Sequence, residues 1–264
     1  MKTLHPVRPN SFVETAYRAR LLSLVDRMNR STHRWLRAAY RSNEPRVAAL
    51  LAQDELPATA VAARVRRLAR YWQRKFDALA PDLARYFATQ VSKRSTAALS
   101  TMLKRGGIAV KMRDTRAYQD VLKAAVEENV SLIRSIPQQH FGRIEGMVLR
   151  SVQTGRDLHQ LTEDLEDAFG VARRRAELIA RDQNNKATAV LQRTRQAELG
   201  VTEAIWVHSG GGAHPRPTHV KAGKERVKFS LVDGWYDPAI QKRIWPGTEI
   251  NCRCVARPVI SGFS

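Results

Sequence analysis

The sequence is short of cysteine, of acid and of long apolar runs, and each shortage removes a class of protein. Two cysteines in 264 residues, both in Cys252-Arg253-Cys254, cannot build a disulfide framework, which fits a reducing compartment. No apolar stretch approaches the roughly 18 residues of a membrane span. The opening Met1-Lys2-Thr3-Leu4-His5-Pro6 lacks the apolar segment of a secretory signal, so no membrane partner is expected. Acids are scarce: 25 Asp and Glu stand against 45 Lys and Arg, a net charge of +20. That excess attracts polyanions and is silent about fold.

What is present bounds the answer from the other side. A hydrophobic fraction of 43% over 264 residues supplies a packed core in one large or two ordinary domains. The charge is uneven. Residues 1–113 hold 23 Lys and Arg against 7 Asp and Glu (+16), and residues 114–264 hold 22 against 18 (+4). A division at that point is expected, with 1–113 a basic helical arm facing a polyanion. Residues 114–264 then form a second part, helices over 114–200 and a small α+β region over 201–264.

The periodicity upstream of residue 200 is helical. Residues 1–10 read as an extended arm, and Ser11-x-x-Glu14 as a capping box opening a helix to about Ser42. Val13, Tyr17, Leu21, Leu24, Met28, Trp35 and Ala39 share one face of it. Arg27, Arg30, Arg34, Arg37 and Arg41 form a ridge on another, at steps of three and four. A second basic helix is expected over 58–79, burying Val61, Val65, Leu68, Trp72, Phe76 and Leu79 beneath Arg64, Arg66, Arg67, Arg70, Arg74 and Lys75. Either ridge could be merely a solvated face. With so few acids interleaved it repels itself, which favours double-stranded DNA bound without sequence preference. Pro81 is expected to break the helix, Gly106-Gly107 to end its continuation as a hinge, and Pro137 to stop the next one. Asp157-x-x-Gln160 opens a short helix ending at Phe169-Gly170, and a long one follows over 171–199 with Ala172, Ala176, Ile179, Ala187, Val190 and Leu191 along its stripe.

After Gly200 the period becomes that of strands. Residues 204–208, 226–229 and 250–255 alternate as three short strands, so the fold class expected is α+β, with a small antiparallel sheet packed on the long helix. Both cysteines and three of the seven histidines, His208, His214 and His219, lie here. His214, His219, Cys252 and Cys254 are the soft ligands open to a structural zinc, although C-x-C is tighter than the usual cysteine spacing. The reading preferred from the sequence is two buried thiols beside histidines in a turn, with no cofactor. His219 with Arg216, Glu249 or Asp237 could make a hydrolytic site, but no paired-carboxylate spacing supports it and no enzyme is expected. Ser209-Gly210-Gly211-Gly212 follows a strand. Pro215 and Pro217 deny it the helix start of a phosphate loop, so it reads as a flexible turn.

One string carries a resemblance. Trp206, then Arg216-Pro217-Thr218-His219, Gly223-Lys224, Pro246-Gly247 and Asn251-Cys252-Arg253-Cys254 resemble in order and spacing the phage head-morphogenesis (Mu F-type) minor head proteins. The resemblance runs from roughly Gln138 to Pro258. Arg181-Asp182-Gln183 stands where that family carries Arg-Thr-Glu. The resemblance implies a minor capsid protein of a tailed phage or prophage, located inside the virion and in the host cytoplasm during assembly. Its implied partners are the portal protein, the scaffold or major capsid protein, and packaged DNA. It also implies that Asn251 and Arg253 belong to a motif pinning the sheet to the helices. The competing classes are a nuclease or toxin-like hydrolase on the same C-terminal fold, and a non-specific DNA-binding protein.

Overall fold

The computed structural model describes residues 2–42, 57–153, 158–212 and 214–260. Four long helices come first: α1 (Ser11–Ser42), α2 (Pro57–Arg105), α3 (Arg116–Gln153) and α4 (Leu158–Glu198). The short strand β1 (Lys2–Thr3) precedes them. After them come β2 (Glu203–Val207), α5 (Pro217–Lys224), β3 (Lys228–Ser230), β4 (Trp235–Asp237), β5 (Lys242–Ile244) and β6 (Val255–Ile260). The class is α+β, as the periodicities required.

The helices are longer than the sequence rules allow. α2 runs through Pro81, α3 through Pro137 and α4 through Gly170 without a break. An internal proline removes one backbone bond and costs about 3 kcal/mol. In helices of 49 and 38 residues, the buried stripe on both sides of the proline holds the axis together. The cap of α1 is Asn10 rather than Ser11: its Oδ1 accepts from the backbone N–H of Phe12 (3.0 Å) and Val13 (3.2 Å). The capping expectation at Asp157 falls outside the described residues. At the end of α2 the Ile108 N–H reaches back to the Leu103 carbonyl at 2.9 Å, with Gly107 at φ 83° supplying the left-handed turn.

Burial follows the α1 and α2 stripes with two exceptions. Val13, Tyr17, Leu21, Leu24, Met28 and Ala39 of α1 are buried, as are Val61, Val65, Leu68, Trp72 and Phe76 of α2. Trp35 and Leu79, expected inside, are exposed, and Leu36 takes the inner position on α1. The Trp35 ring is covered instead by the Arg64 guanidinium, 5.1 Å from its centroid.

The chain divides into two compact units, and each long helix contributes to both. One comprises Met1–Tyr17, Ala84–Glu128 and Ala180–Ser264; the other comprises Arg18–Leu83 and Asn129–Ile179. Helices that contribute to both units make residues far apart in sequence into neighbours within each.

The first unit holds the sheet. Its strand order is β1-β6-β2-β3, all antiparallel, with Trp206 opposite Ala256 and Ala204 opposite both Phe229 and Pro258. The N-terminal arm is therefore an edge strand, and Leu4 donates its N–H to the Pro258 carbonyl at 3.2 Å. β4 and β5 form a separate ribbon. Ala204 and Trp206 point to one face of β2 and are fully buried with Phe229, Leu231, Ile244, Cys252 and Cys254. The last strand begins at Val255, not at Ile250, so the cysteines precede it on irregular backbone. In the second unit the Asn29 amide of α1 donates to the Phe169 carbonyl of α4 at 3.5 Å, and the Gln73 amide of α2 donates to the Arg134 carbonyl of α3 at 3.4 Å. The rings of His140 and Phe169 lie 5.7 Å apart, and the Arg175 guanidinium donates to Ser135 Oγ at 2.7 Å.

Candidate functional site: a buried Cys-Cys-His-Asp cluster under a basic cavity

The motif residues converge in the first unit. Pro217 occupies the first turn of α5, where its missing N–H costs nothing, so one of the two prolines that spoil a phosphate loop starts this helix instead. Two residues on, α5 carries His219 inward to 3% exposure. Gly223, in the same helix, lies against the backbone of His208: a β-carbon there would meet His208 Cβ at 2.4 Å and its N at 2.9 Å. Only glycine lets helix and strand approach so closely. Lys224 remains exposed at the helix end.

The second half of the motif is a turn. Gly247 is left-handed (φ 85°) and packed with Ala189 Cβ and the Cys254 carbonyl, so a side chain is excluded twice over. Asn251 is also left-handed (φ 60°), a conformation asparagine tolerates. Its amide N–H donates to Asp182 Oδ1 at 2.6 Å, and its side-chain oxygen accepts from Arg181 at 3.0 Å. Arg216 donates to the Ile250 carbonyl at 3.0 Å. Asn251 thus clamps the turn onto α4 through Arg181-Asp182, the pair at the place of the family triplet. Gln183 turns away to Glu128 at 3.3 Å. Burial pushes the Asp182 carboxyl up from the ordinary range, against the opposing pull of the Asn251 amide and Lys186.

This clamp brings the two thiols together. On a regular strand, residues i and i+2 are spaced roughly 6.6 Å apart along the chain and their side chains run parallel. Here the turn backbone lets both aim at one point. His219 Nδ1 lies 3.5 Å from Cys252 Sγ and 3.9 Å from Cys254 Sγ. All three ligand atoms fall within 4.8 Å of one another, and all three side chains are buried. On the far side of the imidazole, Nε2 is 3.3 Å from Asp237 Oδ2, at ion-pair distance but not aligned as a hydrogen bond. Asp237 has no exposure and is fixed by Thr218 Oγ1 (3.1 Å) and the Ala239 N–H (3.0 Å). The Trp206 ring meets the His219 ring edge-on at 5.0 Å.

The two sulfurs behave as one titrating pair. A hydrogen bond from Cys254, helped by His219 and the backbone amides of Cys254 and Gly247, holds the Cys252 thiol below its ordinary range against burial. Its partner Cys254 is pushed up by that same bond, by burial and by the neighbouring charge. Charge therefore settles on Cys252, at whose sulfur the Gly247 N–H points from 3.3 Å.

A cavity of about 590 Å³ opens beside the cluster. His208, His214, His219, both cysteines, Arg181, Arg216 and Arg253 line it, together with Gly211 and Gly212. Of the four sequence candidates for metal, three form the cluster. His214 stands exposed on the cavity wall, outside the group of three. His208 Nδ1 accepts from the Gly210 N–H at 3.1 Å, so the glycine run folds over this histidine. The hydrolytic alternative finds only one of its named partners: Asp237 faces His219, while Arg216 reaches the Ile250 carbonyl.

The arginine ridges lie in the other unit. Arg27, Arg30, Arg34 and Arg37 of α1 are exposed, and no carboxylate pairs with them among the described residues. The side chain of Arg41 is outside the described residues. On α2, Arg67, Arg70, Arg74 and Lys75 are exposed, while Arg66 pairs with Glu145 at 3.2 Å. Arg27, Arg30, Arg34 and His33 flank a groove of about 710 Å³ that also holds Glu166. The signals the sequence reading passed over are Arg181-Asp182, which reads as a degenerate triplet until Asn251 is seen across from it, and the buried His140.

Among known proteins, the chain is 25% identical over 260 residues to an uncharacterized protein of Haemophilus influenzae, covering 97% of this chain and 55% of that protein. The chain thus spans about half the length of the curated relative it matches. No solved structure matches it, and no helix among the described residues is long and apolar enough to cross a membrane. A family model described as Phage Mu protein F like protein matches residues 142–257, the stretch that contains α4, α5, the clamp and the cluster. The segment that builds this site is therefore similar to the Phage Mu F-like proteins.

Proposed function

We propose that this chain is a minor head-morphogenesis protein of a tailed phage or prophage, working in the host cytoplasm during capsid assembly and then inside the virion. The observation that carries the reading is the match over residues 142–257, joined to the intact geometry of the motif it covers. In this reading the first unit is the family scaffold, and it meets the portal protein, with scaffold or major capsid protein as further assembly partners. The second unit presents the arginine ridges of α1 and α2 to packaged double-stranded DNA. Exposed guanidinium groups at helical spacing, those of Arg27, Arg30, Arg34 and Arg37 without a carboxylate partner among the described residues, contact phosphates without reading bases, which suits a partner whose sequence varies along its length. No catalytic residue is assigned.

The test is co-purification. Expressed with the portal protein from the same gene neighbourhood, the chain should elute with the portal ring and remain with it at moderate salt. Elution as a free protein at every ratio tried would remove the assembly role. DNA association that does not weaken with salt would remove the second part of the reading.

A further inference from the structure

We propose that His219, Cys252 and Cys254 bind one divalent metal ion of the zinc class, with Asp237 as the carboxylate that orients the histidine. The ligand atoms come from two segments far apart in sequence and converge within 4.8 Å. A tetrahedral zinc with Zn–S of about 2.3 Å and Zn–N of about 2.0–2.1 Å sets N–S separations of roughly 3.5 Å. The separations present are 3.5 and 3.9 Å. The imidazole is turned correctly for this role. Nε2 lies 3.3 Å from the buried Asp237 carboxylate, whose charge favours the ring proton on that side and so frees the Nδ1 lone pair for the sulfurs. A carboxylate with no exposure calls for a cationic partner, and a metal acting through the imidazole supplies one. The Gly247 N–H aimed at Cys252 Sγ provides the backbone donor that a metal-bound thiolate accepts.

The ligand set also argues against a nucleophilic cysteine. A Cys252–His219–Asp237 chain would use one thiol and leave the second, 3.9 Å from the same nitrogen, without a purpose. A metal uses both. Two thiolates and an imidazole favour zinc over magnesium or calcium. The fourth position faces the cavity, where it takes water or an oxygen anion, and the guanidinium groups of Arg181, Arg216 and Arg253 on the cavity wall favour an anion.

The full-length protein, purified without chelator, is expected to carry one equivalent of zinc by elemental analysis. After chelation at retained helicity it should take up one Co2+, giving thiolate-to-cobalt absorption in the near ultraviolet and tetrahedral bands in the visible. Cys252→Ser, Cys254→Ser and His219→Ala should each weaken that spectrum. Asp237→Asn should keep the stoichiometry and lower affinity about 10–100-fold. His214→Ala should change neither. Should a cysteine variant fail to fold, the wild-type cobalt titration still decides the question. Absence of uptake, uptake without thiolate absorption, or alkylation of Cys252 by iodoacetamide at the same rate with and without excess zinc would each overturn the site.

Discussion

The two units spend their polar residues in opposite ways. In the unit of Arg18–Leu83 and Asn129–Ile179, Arg27, Arg30, Arg34 and Arg37 of α1 and Arg67, Arg70 and Arg74 of α2 stand in solvent while an apolar stripe faces inward. In the other unit, polar groups go inside. Gln183, Asn184, Asn185, Thr188, Gln192, Arg195 and Gln196 of α4 are buried, as are His219 and Asp237. The first arrangement needs only helical spacing and works at any exact geometry, because a phosphate backbone is met wherever a guanidinium reaches it. The second works only if each buried group finds its partner, since an unpaired one costs about 1–3 kcal/mol. Substitutions should therefore be mild for stability on the ridges and severe at the cluster.

The largest break in that contrast should come from Trp206. It is fully buried among Phe229, Trp235 and His219, and Trp206→Ala should cost about 3–5 kcal/mol in urea unfolding. DNA affinity measured below the unfolding transition should not change. Loss of DNA binding in the folded variant would mean that the units are not functionally separate.

His140 sharpens the comparison, because it is a buried titratable group in the otherwise simple unit. Among the described residues neither ring nitrogen has a hydrogen-bond partner, and burial, with a smaller effect of Arg143, lowers its pKa from 6.5 to about 4. The folded state thus binds fewer protons than the unfolded state between those values, and stability falls as pH drops from about 6.5 toward 4. The loss at the acid end is about 3 kcal/mol at 1.36 kcal/mol per pH unit. His140→Phe should flatten this limb in melts at stepped pH; an unchanged limb would place the acid sensitivity elsewhere.

The ridge comes next. Replacing Arg27, Arg30, Arg34 and Arg37 by Gln should leave stability within about 0.5 kcal/mol. It should make the log–log salt slope of DNA binding shallower by about 0.9 for each phosphate no longer neutralised. A large loss of stability on this change would erase the distinction between outward and inward polar residues. At the clamp the expected effect on stability lies between those of Trp206 and the ridge. Asn251→Ala removes the acceptor for Arg181 and puts alanine at φ 60°, for about 1–2 kcal/mol by chemical unfolding. Asn251→Gly, free of the backbone strain, should recover part of it.

Much of this could be read from residue spacing, because helices and strands repeat with fixed periods. The stripes from Val13 to Met28 and from Val61 to Phe76 are buried as spacing requires, and β2 and β3 lie within a residue or two of the runs that signalled them. Local rules failed where packing on both sides of a breaker outweighed it, at Pro81, Pro137 and Gly170. They failed again where Pro217 opened a helix rather than forbidding one. Trp35 shows a third kind of miss: a large apolar residue at a core period can stay outside when an arginine covers its ring.

By itself the sequence determined the helical content, the excess of cations, the small C-terminal sheet and the motif string, all of which depend on composition or on short, fixed spacings. Tertiary structure decided the rest. Long helices passing through both units set the boundaries of the units, because neighbours across a helix pair are distant along the chain. It chose Asp237 over Glu249 and Arg216 as the partner of His219, and left His214 on the cavity wall. It also turned Cys252 and Cys254 toward one nitrogen, since a left-handed Asn251 held by Arg181 and Asp182 sits 70 and 69 residues from those anchors. Spacing cannot express a contact of that range; only the folded path of the chain creates it.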